Sequence, residues 1–137
     1  MLEMASLKAL DVLKNNRKGF FLMIEGSQID WGGHDNKASY IASEMADFDL
    51  TIGKVLDWAE KDGNTLVVIT ADHETGGFSL NEASKTGTFE GKFTTKEHTG
   101  VMVPVFAYGP GADEFTGIYE NDQIFHKFCQ LWKWKRN

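Results

Sequence analysis

Two apolar runs of strand length, separated by one long helical pattern, restrict what this chain can fold into more than any other feature. Gly19 opens Phe20-Phe21-Leu22-Met23-Ile24, and Thr65-Leu66-Val67-Val68-Ile69-Thr70-Ala71 follows the stop signal Asp62-Gly63-Asn64. Neither run alternates with polar residues, so each reads as a strand covered on both faces, the pattern of parallel sheets flanked by helices. Between them Ile41, Met45, Phe48, Ile52, Val55, Leu56 and Ala59 recur at three- and four-residue steps. Asp35 or Asn36 can cap that helix at its start, and Gly63 ends it. Residues 19–71 therefore predict a strand, helix, strand unit with parallel pairing and a right-handed crossover.

The flanking segments extend the same α/β class. Leu2, Ala5, Ala9, Val12 and Leu13 predict a first helix with one buried face, ending at Asn15-Asn16. Residues 76–97 read as a glycine-rich loop with short hairpin strands near Phe78–Leu80 and Phe89–Phe93. Val101–Tyr108 predicts a third strand, where Pro104 implies an edge position or a bulge. Asp122 can cap a final helix that runs to about Trp134. With 137 residues the chain is one domain's worth, a single compact unit or a piece of a larger one.

Charge and composition exclude several functions. A net charge of -6 argues against a nucleic-acid surface, which needs clustered Lys and Arg. The one basic cluster, Lys133, Lys135 and Arg136 beside Trp132 and Trp134, reads as a solvated helix end. No apolar run approaches the roughly 20 residues that span a bilayer. The single Cys129, among Ile124, Phe125, Phe128 and Leu131, forms no intrachain disulfide and reads as a core residue. Met1-Leu2-Glu3-Met4 enters the first helix directly with no signal-peptide pattern, which implies a cytoplasmic protein or a natural N-terminus further upstream.

In open α/β sheets ligands bind beyond the carboxyl ends of the strands, and that is where this chain keeps its metal-type residues. Glu25, Asp30 and His34 lie where the first run gives way to a turn containing Gly32 and Gly33, Asp72-His73 follows the second, and His98 precedes the third. Asp30, His34 and His98 would make a three-ligand zinc set with one position left for water or substrate. A lone Asp-x-x-x-His occurs often by chance. Asp72-His73 strengthens the case, because in a turn both side chains can approach one ion, and Gly76-Gly77 lies just beyond. Three carboxylates and three imidazoles at one sheet edge are costly without a cation. His126, within the last helix beside Phe125 and Phe128, reads as structural or surface.

These residues stand in the order Glu25-Gly-Ser-x-Ile-Asp30-x-x-x-His34, Thr70-Ala-Asp72-His73-Glu-Thr-Gly-Gly, Glu97-His98-Thr-Gly and Ala107-Tyr-Gly-Pro110, with 39 residues from His34 to His73. In this the chain resembles the C-terminal part of an alkaline phosphatase, over essentially its whole length. The resemblance implies part of a three-layer α/β/α sandwich on a mainly parallel sheet, with residues 1–137 a single C-terminal fragment. It implies that Asp30, His34 and His98 hold the first zinc, that Asp72 and His73 belong to the second, and that Glu25 binds magnesium. Two metals about 4 Å apart then clamp the attacking and leaving oxygens of an in-line displacement. Trp31 stands near the phosphate, where the enterobacterial branch has lysine.

The family's nucleophilic serine, its phosphate-binding arginine, and the aspartate and threonine that complete the second zinc and magnesium sites have no counterpart here. Ser27, Ser39, Ser43, Ser79 and Ser84 lie outside the family's serine motif. The resemblance thus implies a parent that hydrolyses phosphate monoesters through a phosphoserine and releases inorganic phosphate, in the periplasm or outside the cell. This chain alone is then expected to be inactive, with one complete zinc site, and to self-associate or form a homodimer through exposed apolar surface. Alternatives are a metal-dependent phosphomutase or phosphodiesterase of the same superfamily, or a noncatalytic zinc-binding module. Glu25, five residues before Asp30, favours the alkaline phosphatase pattern.

Overall fold

The structure is a computed structural model and describes residues 1–83 and 85–133. These residues form two compact units. One comprises residues 1–55 and 73–102, the other residues 56–72 and the chain from Val103 onward.

The first unit begins with α1 (Leu2–Leu13), which buries Ser6 and Leu10 and exposes Lys8 and Asp11. Ser6 is satisfied within the helix, its hydroxyl donating to the Leu2 carbonyl at 2.8 Å. A seven-residue helix, α2 (Gln28–His34), stands where a glycine turn was expected. It ends on Asn36 at φ 53, with the Asn36 amide donating to Gly33 and the Lys37 amide to Gly32, both at 3.0 Å. That paired closure, with a left-handed residue just past the helix, redirects the chain into α3 (Ala38–Asp62) within three residues. Ile41 and Thr51 of α3 are buried.

Three short ladders follow, each two-stranded and antiparallel. In the first unit β2 (Glu74–Thr75) pairs with β5 (His98–Thr99), and β3 (Ser79–Glu82) pairs with β4 (Phe89–Lys92). The second hairpin stands where the sequence predicts one. In the second unit β1 (Val67–Ile69) pairs with β6 (Phe106–Tyr108), Val67 opposite Tyr108 and Ile69 opposite Phe106. A single 3-10 turn (Ala112–Phe115) buries Phe115, whose ring lies 5.4 Å from Phe128 of α4 (Gln123–Leu131).

The predicted parallel unit is not formed among the described residues. Val67–Ile69 does become a strand, but its partner is antiparallel, and Phe20–Ile24 carries no ladder. Along that run Leu22 and Ile24 are half-buried while Phe21 and Met23 are 60% and 77% exposed. A doubly covered strand needs neighbours on both faces, and the described residues cover one. The third predicted strand is likewise short: it starts only after Pro104, which has no amide proton for a ladder, and Val101 and Met102 are largely exposed. The final helix ends at Leu131, with Trp132 in its cap position. Trp134, Lys135, Arg136 and Ser84, named in the sequence reading, lie outside the described residues. No helix among the described residues is long and apolar enough to cross a membrane.

Candidate metal centre

Because residues 28–34 are helical, Asp30 and His34 sit one turn apart on one face of α2. Their side chains meet, with Asp30 Oδ2 at 3.5 Å from His34 Nε2. The other ring nitrogen, His34 Nδ1, is 2.5 Å from the Lys96 carbonyl. A carbonyl only accepts, so Nδ1 carries the proton, and Nε2 keeps a lone pair directed at the cluster. Anchoring of this kind is how a protein fixes the tautomer of a metal-binding imidazole.

The second half comes from the β2–β5 ladder. Thr75 is directly opposite His98, and the two-residue period of a strand puts His73 on the same face as Thr75. The His73 and His98 rings stack at 3.6 Å with an 18° tilt. The Thr75 hydroxyl donates to Asp30 Oδ1 at 2.5 Å and, having no second proton, accepts from His73 Nδ1 at 3.2 Å. One hydroxyl therefore ties the carboxylate of α2 to an imidazole beside β2.

Glycine permits that closeness. A Cβ on Gly33 would stand 2.8 Å from the Thr75 carbonyl oxygen, and one on Gly76, at φ 91, would stand 2.9 Å from the Gly33 oxygen. Any side chain at Gly33 would push α2 away from β2 and separate Asp30 from Thr75.

On the opposite face of β2 lies Glu74. Its carboxylate accepts the Gly77 amide at 3.0 Å, the Phe78 amide at 2.9 Å and the Thr99 hydroxyl. Burial alone would raise its pKa, but the hydrogen bonds from Thr99, Phe78 and Gly77 outweigh it and hold the carboxyl below its ordinary value. Glu74 and Thr75 lie within the His73-Glu-Thr-Gly-Gly motif, but the sequence assigns a role to neither. The available signal was the alternation along His73, Glu74 and Thr75, which assigns the outer two residues to one face and Glu74 to the other.

Atoms of three ligand-type residues converge. His34 Nε2 is 3.2 Å from His98 Nε2 and 3.5 Å from Asp30 Oδ2, and His98 Nε2 is 3.7 Å from Asp30 Oδ1. A tetrahedral zinc ion with bonds of about 2.0–2.1 Å holds its ligand atoms about 3.3–3.4 Å apart. The donor types suit such an ion, and the His34–His98 and His34–Asp30 spacings are near tetrahedral, while His98 approaches the other Asp30 oxygen, the one that accepts from Thr75. A looser, overlapping group, Asp30, His73 and His98, also places one ligand atom of each residue within 4.8 Å of the others. The two groups share Asp30 and His98 and differ in whether His34 or His73 is the third donor. The side chains of Asp30, His34 and His98 are 37%, 39% and 51% exposed, so one side of the cluster opens to solvent.

Other predicted site residues stand apart. Glu25 lines a groove with Leu2, Ala5, Ser6 and Ala9 of α1, and among the described residues it has no hydrogen bond or ion pair to the cluster. Asp72 is exposed and belongs to the second unit, immediately before His73. Trp31 follows Asp30 on α2 and is 63% exposed. His126, on α4, meets the Phe125 ring edge-on at 5.5 Å.

Comparison with known proteins gives a consistent result. The alkaline phosphatase family profile matches residues 1–92 and 88–133. Alkaline phosphatase 4 of Bacillus subtilis (strain 168) is 33% identical over 184 aligned positions, which cover 85% of this chain and 40% of the relative. The structure of an alkaline phosphatase from the Antarctic bacterium TAB5 superposes with a TM-score of 0.93 at 49% identity, over 99% of this chain and 42% of that one. A mutant of the TAB5 enzyme, solved with Mg bound in its M3 site, superposes with a TM-score of 0.90 at the same identity and the same coverage. The chain thus spans about two fifths of the length of these relatives.

Proposed function

The chain belongs to the alkaline phosphatase family, and from that premise we propose that it carries the zinc-ligand half of a site that hydrolyses phosphate monoesters. The observation that carries this reading is the convergence of the Asp30 carboxylate with the His34 and His98 imidazoles, with a solvent-facing side left for substrate. Zinc held there would supply Lewis-acid polarisation of phosphoryl oxygens and a water acidified towards neutrality. The chain's own groups do the rest. Lys96 orients His34, and Thr75 orients Asp30 and His73; Trp31, next to Asp30 in sequence, is assigned to the substrate side.

His73 and Asp72 are assigned to a second zinc and Glu25 to a magnesium, each completed by residues of a further polypeptide segment that also brings the nucleophilic serine and the phosphate-binding arginine. Turnover then passes through a phosphoserine, and residues 1–137 are the C-terminal part of a three-layer α/β/α sandwich that functions in the periplasm or outside the cell. Alone, the chain binds zinc but does not turn over, because phosphoryl transfer depends on positioning and charge neutralisation that the serine and arginine supply. The exposed Phe21, Met23, Val101 and Met102 support self-association or homodimer formation.

Assay of the isolated, zinc-loaded chain with p-nitrophenyl phosphate tests the division of labour. The expected outcome is no turnover above zinc-containing buffer. Robust zinc-dependent hydrolysis by the chain alone would mean that a complete catalytic apparatus lies within residues 1–137.

A further inference from the structure

The ladder that carries His98 to its place is two residue pairs long, Glu74 opposite Thr99 and Thr75 opposite His98. A strand register is normally set by a buried apolar face or by a tight turn, and a slip of one residue moves every side chain to the other face. Neither device operates here: the paired residues are polar, none is fully buried, and 22 positions of chain separate the two strands. A slip by one would turn His98 away from Asp30 and His73.

Beyond the two pairs the Gly76 amide donates to the Glu97 carbonyl at 3.0 Å, and Glu74 adds a side-chain tie to this backbone pairing. Its Oε2 takes the Gly77 amide and the Thr99 hydroxyl, and its Oε1 takes the Phe78 amide, so both oxygens are used and three donors from two segments are answered. The turn it clamps is one where a Cβ on Gly77 would meet the Thr94 hydroxyl at 1.8 Å. On the far strand Thr99 is the neighbour of His98, so the bond to Thr99 fixes which residue faces Thr75.

We infer that Glu74 is a positioning residue for the metal centre: its carboxylate, bridging the Gly77–Phe78 turn and Thr99, sets the β2–β5 register that places His98 against Asp30 and His34. This rests on the zinc assignment made above and adds to it a residue that touches no ligand. A glutamine at 74 keeps the length but presents an amide nitrogen to one or more of three donors, so the carboxylate is needed for its acceptors rather than for its volume.

The test uses the full chain as wild type, Glu74→Gln, Thr99→Val and Thr99→Ser, each verified as folded by circular dichroism. Zinc affinity is read by chelator competition, site geometry by the visible absorption of the cobalt(II)-loaded chain, and register by cross-strand NOEs between residues 74–75 and 98–99 without metal. Expected are a zinc affinity about tenfold or more weaker and altered cobalt bands for Glu74→Gln, a smaller loss for Thr99→Val, and wild-type behaviour for Thr99→Ser. The metal-free NOEs should weaken in the same order. Wild-type affinity, spectrum and NOEs in Glu74→Gln would overturn the inference. Should that variant fail to fold, wild-type values in Thr99→Val would overturn it instead. If the wild-type chain binds no zinc, the metal assignment fails, and the metal-free NOEs still decide whether Glu74 sets the register.

Discussion

Asp30 and the imidazoles around it are answered by partners from α2, β2, β5 and the Lys96 carbonyl, whereas the apolar run that ends six residues before Asp30 leaves Phe21 and Met23 60% and 77% exposed. The two regions share a sequence neighbourhood and follow different rules. A ligand cluster is assembled from short-range geometry: a helical turn, a two-residue period, a hydroxyl between two groups, a glycine where backbones touch. A doubly covered strand depends on surface that other chain segments must bring. The site half can therefore be assembled where the sheet half lacks a ladder, and substitutions in one region should leave the other largely unmoved.

The largest separation of the two is expected from Asp30→Ala. Asp30 is the carboxylate of the cluster and the acceptor for Thr75, so zinc affinity should fall by on the order of 100-fold or more, measured by competition with a chelator. Self-association in light scattering should not change. Near wild-type zinc affinity in Asp30→Ala would remove the carboxylate from the site.

Gly33→Val comes next. Its Cβ would stand 2.8 Å from the Thr75 oxygen, and relief requires α2 to move off β2. The expected loss of stability is about 1–3 kcal/mol in urea unfolding, the usual range for overpacking, accompanied by weaker zinc binding. Unchanged stability would mean that α2 and β2 are not held at this distance.

The converse substitution is Met23→Lys with Met102→Lys, two exposed methionines that lie outside any ladder. It should lower self-association at high concentration, read by light scattering, while zinc affinity stays within about twofold. A loss of zinc binding of the size expected for Asp30→Ala would join the regions that are here held separate.

The smallest effect is a dependence on pH. The Glu74 carboxyl is held below its ordinary value, so protonating it favours the unfolded chain. Its contribution is present above the unfolded carboxylate value of about 4.3 and is lost as pH falls through the lower folded value. The stability advantage of wild type over Glu74→Gln should be flat above about pH 5 and shrink towards acid pH. An advantage that grows on acidification would reverse the sign.

How far the sequence foretold each region follows the same division. Helices α1, α3 and α4 were legible from their apolar periods, and the β3–β4 hairpin from Phe78–Leu80 and Phe89–Phe93 around glycines. The residues brought together at the site, Asp30, His34, His73 and His98, were all named from type and position. Their geometry was not: Gly32 and Gly33 suggested a turn where the chain forms α2, since a helix of seven residues with two glycines has little propensity of its own and is held by packing of Gly32 on Ile41 and Gly33 on Thr75. The roles of Thr75 and Glu74 were invisible because they depend on which strand lies opposite. Phe20–Ile24 was read as a strand from its composition, but a ladder is a property of two segments, and composition describes only one.

The most direct test of the central claim is a zinc titration of the metal-free chain by calorimetry, with the Asp30→Ala and His98→Ala variants alongside. One tight zinc per chain, abolished in both variants, is the predicted result, because the proposal gives Asp30, His34 and His98 to one zinc and completes the second from a further segment. Two equally tight sites, or one tight site that survives both substitutions, would contradict it.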